Sequence, residues 1–406
     1  MRALDDILVL DLSRVLAGPW CTQMLADLGA DVIKVEKPGE GDDTRGWGPP
    51  FLADPVTGER GDSAYYLAAN RGKRSITVDM ATPEGQDILR RLAAKADVLV
   101  ENYKLGGLRK FGLDYDSLAA INPRLVYCSI TGFGQTGPYA PRAGYDFMIQ
   151  AMGGLMSVTG ERDDRPGGGP QKAGIAVADL VTGLHAVIAV EAALMQRHRT
   201  GKGQHIDMAL LDVQVSVLAN QAQTYLVSGT APGRAGNGHA AIVPYQSVPT
   251  ADGHLIIAVG NDGQFAKLAE ELGHPEWAED ERFATNRARV VNRAILIPLI
   301  EAETRRFASA ALLATLEARQ VPCGPINTVD KVFEDPQVQA RAIRQDVPHP
   351  LTGTLPTVAS PLRLSASPVT YDRGPPLLGQ HTEEVLGQML GLDSDAVAAL
   401  RRSGVV

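Results

Sequence analysis

Short apolar runs alternate with amphipathic stretches through the first 130 residues. Ile7-Leu-Val-Leu10, Ala30-Asp-Val-Ile-Lys-Val-Glu36, Arg74-Ser-Ile-Thr-Val-Asp79, Asp97-Val-Leu-Val-Glu101 and Arg124-Leu-Val-Tyr-Cys-Ser-Ile130 each carry an apolar centre between polar ends. That is the pattern of strands buried on both faces. Between them the spacing predicts helices over 20–28, stopped by Gly29, and over 83–96, with Pro83 in the first turn. Two shorter helices are expected near 105–111 and 117–121. Strand, glycine-containing loop, helix, strand is a βαβ unit, so the fold class is α/β with a doubly wound parallel sheet. Ligands in that architecture sit at the carboxyl ends of the strands. The loops there are 12–19, 37–45, 102–104 and 132–145.

Beyond residue 160 the pattern lengthens. Residues 161–172 are a polar, glycine-rich loop without core-forming capacity. Gly174-Ile-Ala-Val-Ala-Asp179-Leu-Val-Thr-Gly183 then opens an apolar helix over 180–199. Leu180, Leu184, Val187, Ile188 and Met195 fall at helical spacing and predict its buried face. Gly201-Lys-Gly-Gln-His-Ile-Asp-Met208 suggests a turn and a strand, and a second apolar helix over 209–227 ends at Ser228-Gly-Thr-Ala-Pro-Gly233. Past that cluster, Tyr245–Pro249 and the run to Val259 flank an Asp252-Gly253 turn, a hairpin signal, and helices follow over 262–271, 286–304 and 308–318. The expected domains are 1–200, with the proline-rich tail 331–406 packing back on it, a linker at 201–228, and a smaller α+β domain at 229–330.

Composition narrows the function classes. Of 406 residues, 44% are hydrophobic and 21% charged, ample for a core. A formal net charge of -8 argues against a nucleic-acid partner while leaving room for a local basic site. Cys21, Cys128 and Cys323 have no CxxC spacing and suit reduced thiols in a cytoplasmic protein. The eight histidines show no HxxxH or HExxH, so no metal site is expected. No leader-like start and no apolar run long enough for a bilayer are seen, so no membrane partner is expected. Gly132-Phe-Gly134-Gln-Thr-Gly137 matches GxGxxG, but Pro138 and Pro141 forbid the helix a dinucleotide site needs.

Asp179 has two readings. At the start of a helix an aspartate caps unpaired N–H groups and favours the positive dipole end. Held at the floor of a cleft, the same carboxylate is a nucleophile.

Several ordered motifs decide where to look. Asp11-Leu-Ser-Arg-Val-Leu-Ala-Gly-Pro19, Leu28-Gly-Ala-Asp-Val-Ile-Lys-Val-Glu36, Asn70-Arg-Gly-Lys-Arg-Ser75, Val100-Glu-Asn-Tyr103 and the Asp179 stretch together resemble the class III CoA-transferase family of CaiB/BaiF type. The resemblance spans nearly the whole chain. It implies a Rossmann-like large domain, a smaller domain, and a homodimer of two interlocked chains. It implies coenzyme A, as acyl-CoA, as a substrate together with a small carboxylic acid. Asp179 would attack the thioester, and a mixed anhydride and an aspartyl-CoA thioester would follow. Aspartate ionises near pH 3.9 when unperturbed, so no partner base is needed.

The same resemblance assigns CoA contacts to Lys37, Lys73, Arg74 and Lys110, with Arg109 and Arg142 beside them. It assigns adenine or pantetheine contacts to Val15, Ala17, Asn70, Asn102, Tyr103 and Tyr145. The glycine loop that covers the active site in formyl-CoA transferase corresponds to Gly236-Asn237-Gly238-His239, and the glutamine facing its intermediate corresponds to Leu16. Both departures disfavour formyl or oxalyl transfer. The Gly-Asn-Gly-His and Ile-Val-Pro-Tyr-Gln run is similar to the succinyl-CoA:dicarboxylate members, glutarate transferases among them. His239 and Arg45 are candidates for recognising the acceptor carboxylate. An α-methylacyl-CoA racemase is the alternative within the fold, but Gly144-Tyr145-Asp146 lacks the histidine it uses. A non-catalytic CoA-binding protein is the alternative outside enzymes, and the retained Asp179 motif speaks against it.

Overall fold

The structure is a computed structural model that describes residues 2–406. Six strands, β1 (Leu8–Asp11), β2 (Asp31–Glu36), β3 (Arg74–Thr77), β4 (Val98–Glu101), β5 (Val126–Thr131) and β6 (His205–Ala209), form one parallel sheet. Their order is β3-β2-β1-β4-β5-β6. The chain winds outward from β1 through β2 to β3, then returns to the other side of β1. The strand order therefore reverses between β1 and β4, which makes their carboxyl ends the natural crevice.

Alternation along each strand buries both faces. Val9, Val32, Val98, Val100 and Cys128 face helices Ala17–Asp27 and Val177–Thr200. Leu10, Ile33, Ile76, Leu99 and Tyr127 face helix Pro83–Ala93 and the C-terminal Val385, Leu386, Val397 and Val405. The chain forms two compact units. The first comprises residues through Leu155, Ala173–Ala222 and Pro336–Val406; the second comprises Met156–Lys172 and Gln223–Asp335. The second unit has its own core around Val248, Leu255, Ile257, Phe265 and Leu296, beneath a three-stranded antiparallel sheet.

Several expectations are corrected. The single helix expected over 209–227, after the expected strand, is two helices, Leu210–Ser216 and Ala219–Ser228, parted where Ala219 takes φ +45°. Only Arg109–Phe111 within 105–111 is helical, and it is a 3₁₀ turn. The tail contains a hairpin, Arg344–His349 with Gly353–Val358, despite its prolines. Helix Val177–Thr200 is long and apolar enough, by length and composition, to cross a bilayer, contrary to the sequence reading. It is a core helix here: Ala186, Val190, Ala193 and Leu194 are buried in the first unit.

The buried face of that helix is also not the expected one. Of the five residues named from spacing only Val187 is buried; Leu184, Ile188 and Met195 are 40%, 64% and 59% exposed. The reason is close approach. A Cβ on Gly183 would stand 2.8 Å from the Ala17 carbonyl oxygen and 3.1 Å from Trp20 Cδ1. Small residues let the two helices touch, and the bulky stripe turns outward.

Candidate active site

Asp179 stands in the first turn of helix Val177–Thr200, not at its cap. Ala176 occupies the cap and has no side chain to offer. Asp146, at the start of helix Asp146–Met152, reaches across instead: its Oδ1 accepts the N–H groups of Ala178 (2.8 Å) and Asp179 (3.3 Å). Gln150 locks this arrangement by donating to Asp146 Oδ2 (2.6 Å) and accepting the Ala173 N–H (2.9 Å). The capping duty first ascribed to Asp179 is thereby met by Asp146. Among the described residues the Asp179 carboxylate has no hydrogen bond and no ion pair.

Burial, and then the like charge of Asp146, push the Asp179 carboxyl up to about 7. This corrects the sequence expectation of an ordinary aspartate, fully ionised at neutral pH. It also sharpens the chemistry. A carboxylate without donors and partly shielded from water is more basic than a fully solvated one, and a more basic oxygen is a better nucleophile once deprotonated. Tyr65 lies close enough that Asp179, Asp146 and Asp42, after burial, hold its phenol above the usual range. Its ring meets Trp47 edge-on at 5.4 Å. Neither aromatic was singled out from sequence.

At the crevice between β1 and β4 the loops are tied together. The Arg14 N–H donates to Asn102 Oδ1 (2.9 Å), and Asn102 Nδ2 donates back to the Arg14 carbonyl (2.6 Å). The Arg14 guanidinium lies 5.4 Å from the Tyr103 ring centre. Val15, β-branched, is held at φ +70°, a conformation such residues rarely adopt. Its N–H faces Asp42 Oδ1 at 3.3 Å. Strain of this kind persists where the surroundings over-determine a loop, and it clusters at functional sites.

The chain matches CoA-transferase family III over residues 4–382. The chain belongs to that family. It is 54% identical to the succinate–glutarate CoA-transferase of Agrobacterium fabrum (strain C58 / ATCC 33970), over 97% of each chain. It is 43% identical to the human succinyl-CoA:glutarate CoA-transferase, over 100% of this chain and 90% of that one. A CaiB/BaiF family protein from Brucella suis superposes with a TM-score of 0.86 at 56% identity, covering 96% of this chain and 100% of that one. The mixed α/β fold with its large parallel sheet is thus the family's.

The transferase's structure sorts the residues named from sequence. Val15, Asn102 and Tyr103 meet at the crevice, and Leu16 and Ala17 are buried where helix Ala17–Asp27 begins. Lys37, Arg109, Lys110 and Arg142 are exposed cations. Lys37 pairs with Glu40 at 2.5 Å, Lys110 lies 4.6 Å from the Phe111 ring centre, and Arg142 lies over Phe133 and Tyr139 at 5.2 and 4.6 Å. Tyr145 is 69% exposed, so it is no core tyrosine. Arg109 and Tyr103 line a cavity of about 210 Å³ with Lys104, Glu101 and His205. Burial pushes Glu101, the last residue of β4, up to about 7.

Four named residues have structural work beside the role the resemblance assigns them. Lys73 is fully buried, and its ammonium is used up by Asp11 (3.1 Å), the Pro19 carbonyl (2.9 Å) and Asn70 Oδ1 (2.8 Å). Asn70 is thereby occupied too, donating in turn to the Tyr66 carbonyl (2.9 Å). Arg74 opens β3, at the amino edge of the sheet, and pairs with Asp31 and Glu384. Arg45 is buried against Glu36 (2.7 Å) and Asp62 (2.8 Å). The side chains of Lys73, Arg74 and Arg45 are thus each engaged by protein partners.

In the second unit, the Gly236 N–H donates to the Gly160 carbonyl at 3.2 Å, with φ +62°. Asn237 donates to Ser247 Oγ at 3.1 Å. His239 Nδ1 accepts the Ala241 N–H at 3.1 Å, which leaves the ring proton on Nε2 as a donor. Sequence reading passed over Arg14, Tyr65 and Trp47. Arg14 was within reach, because it lies inside the Asp11–Pro19 motif; Tyr65 and Trp47 have no local signal.

If the Asp179 anion is the attacking group, its carboxyl, raised to about 7, sets the acid limb of kcat/KM near that pH, with activity lost below it. Asp146→Asn keeps an oxygen for the helix N–H groups but removes the like charge, so the limb is expected to move to lower pH. A pH–rate profile with an unmoved limb would separate Asp146 from the ionisation of Asp179.

Proposed function

We propose that this family III transferase moves CoA from succinyl-CoA to a dicarboxylic acid, glutarate foremost, with Asp179 carrying the CoA between them. The single observation behind this is the unpartnered, half-buried Asp179 carboxylate, its capping role taken over by Asp146. The choice of acids follows the names of the two glutarate transferases above, at 54% and 43% identity.

The steps balance without an outside base. An Asp179 carboxylate oxygen attacks the thioester carbon of the donor, the C–S bond breaks, and CoA leaves as thiolate. The thiolate attacks the aspartyl carbonyl of the resulting anhydride and releases the donor acid. The acceptor carboxylate then attacks the aspartyl-CoA thioester and frees the thiolate again. The thiolate takes the acceptor's acyl carbon and restores Asp179 as carboxylate. Both anhydride and thioester hydrolyse readily, so the half-burial of Asp179 also protects the yield. Arg109 and Lys110, exposed on the turn after β4, suit the phosphates of CoA.

An exchange assay tests the reading. The protein, succinyl-CoA and a panel of free acids (glutarate, malate, itaconate, mesaconate, oxalate, formate, carnitine) are mixed and new acyl-CoA is read by mass. Glutaryl-CoA is expected as the main product, and none with Asp179→Ala at retained fold. Equal turnover by Asp179→Ala would end the reading, and a different acid in first place would change the acceptor alone.

The homodimer belongs to the same proposal. The exposed Leu184, Ile188 and Met195 stripe, apolar on a single chain, suits burial by a second copy. Light scattering is expected to give twice the chain mass of 43.2 kDa, unchanged on dilution. A monomer appearing on dilution would count against interlocked chains.

A further inference from the structure

One buried carboxyl beside the crevice has no task in the steps above. Glu101 closes β4 and is 6% exposed. Its Oε2 accepts the Tyr103 N–H at 2.7 Å, so it holds the backbone of the Asn102–Tyr103 turn. Asn102 ties the same turn to Arg14, next to the strained Val15. The turn is fixed at two points, and of these Glu101 is the one that can lose its charge.

Glu101 makes no ion pair among the described residues. Its second partner is the Ser129 hydroxyl on β5, and Ser129 Oγ lies 2.9 Å from His205 Nε2 at the start of β6. His205 is gripped in turn. Its ring stacks on Tyr115 at 5.0 Å and meets Tyr127 edge-on at 5.6 Å, while the Tyr127 hydroxyl donates to the Leu113 carbonyl at 2.9 Å. Carboxyl, hydroxyl and imidazole form one chain across three neighbouring strands, and all three line the cavity of about 210 Å³.

A serine hydroxyl has one proton, so this chain has two states. While Glu101 is a carboxylate, Ser129 donates to it, and Ser129 Oγ accepts from a His205 protonated on Nε2. When Glu101 takes a proton, its O–H turns to Ser129, because the Tyr103 N–H can only donate. Ser129 then donates to His205 Nε2, and the ring carries its proton on Nδ1. Burial favours the neutral His205 that both states need. The Tyr103 N–H is left on an uncharged carboxyl, and a hydrogen bond to a charged acceptor is about twice as strong.

Both states are reached near neutral pH. Burial pushes Glu101 up to about 7, against the pull of Ser129 and the Tyr103 N–H. Lys104, Arg109, Asp114 and Asp116 also line the cavity, and none of them pairs with Glu101 among the described residues. Burial, and then Glu101 itself, raise the Tyr127 phenol and the Cys128 thiol, so neither adds a charge.

We propose that Glu101 is a positioning residue for acyl-CoA, setting the Asn102–Tyr103 turn through a reversible Glu101–Ser129–His205 hydrogen-bond chain. The carboxylate state holds the turn firmly and gives the tighter site. This rests on the reading of that turn as a CoA contact.

Calorimetric titration of the full chain with CoA tests it, at about pH 8.5 and about pH 5.5, on either side of the Glu101 ionisation. The amide of Glu101→Gln copies the protonated carboxyl at every pH, with an oxygen for Tyr103 and a donor for Ser129. Glu101→Gln is expected to bind CoA about fivefold more weakly than the parent at the higher pH and equally well at the lower. CoA and the other groups, Asp179 included, titrate alike in both proteins and cancel in the ratio. Ser129→Ala removes the donor to the carboxylate, so its affinity is expected to start falling at a higher pH than the parent's. Equal binding by Glu101→Gln and the parent at the higher pH, one ratio at both pH values, or an unmoved onset in Ser129→Ala would overturn the role. A parent that binds no CoA at either pH would overturn the CoA reading of the crevice, and this role with it.

Discussion

Everything at the carboxyl edge of the sheet hangs on a chain of buried ion pairs. Asp11, at the end of β1, is bound by Lys73, Thr22 and Ser13. Lys34, inside β2, spans from the Ser13 carbonyl (3.0 Å) to Asp42 (2.8 Å). Asp42 holds Thr44 and faces the strained Val15, and Glu36 at the end of β2 holds Arg45, Ser75 and the Asp42 N–H. Burial would raise Asp42, but Lys34 beside it holds the carboxyl at about 2. Likewise Lys73 and Lys34 hold Asp11 low against its burial. Such pairs contribute little net stability over an apolar core, yet removing one partner strands the other at a cost of about 3–5 kcal/mol. What they fix is the course of loop 12–16 and loop 37–45, hence the shape of the crevice.

Asp179 follows the opposite rule. Its neighbours withhold every donor, and the nearest charge is another carboxylate. The paired charges set the shape of the crevice, whereas the Asp179 carboxylate stands without an ion pair among the described residues. Asp146 links the two: as a cap it fixes the helix that presents Asp179, and as a charge it raises the ionisation of Asp179.

The sheet was legible because parallel strands buried on both faces are written as apolar runs, and each of the five expected in the first 130 residues is present within a residue or two of its place. Asp179 was legible as a residue but not as an environment, because its cap, Asp146, lies thirty-odd positions upstream with no spacing rule to connect them. Lys73, Arg74 and Arg45 show the limit of reading charge from sequence. A cation inside a motif looks the same whether a phosphate or a buried carboxylate awaits it, and only the fold shows that Asp11, Asp31 and Glu36 take them. The helix at 177–200 misled for a related reason: periodicity marks an apolar stripe, but the glycine and alanines opposite pack closer, so the core lies on the side with less apolar bulk.

The account's central claim is that Asp179 itself becomes acylated. The direct measurement is peptide mass spectrometry after the enzyme meets succinyl-CoA and is then quenched with hydroxylamine. A hydroxamate at Asp179, formed only when acyl-CoA was present and absent from every other carboxylate, is the expected result. An unmodified Asp179 in protein trapped while exchange was under way would contradict the claim.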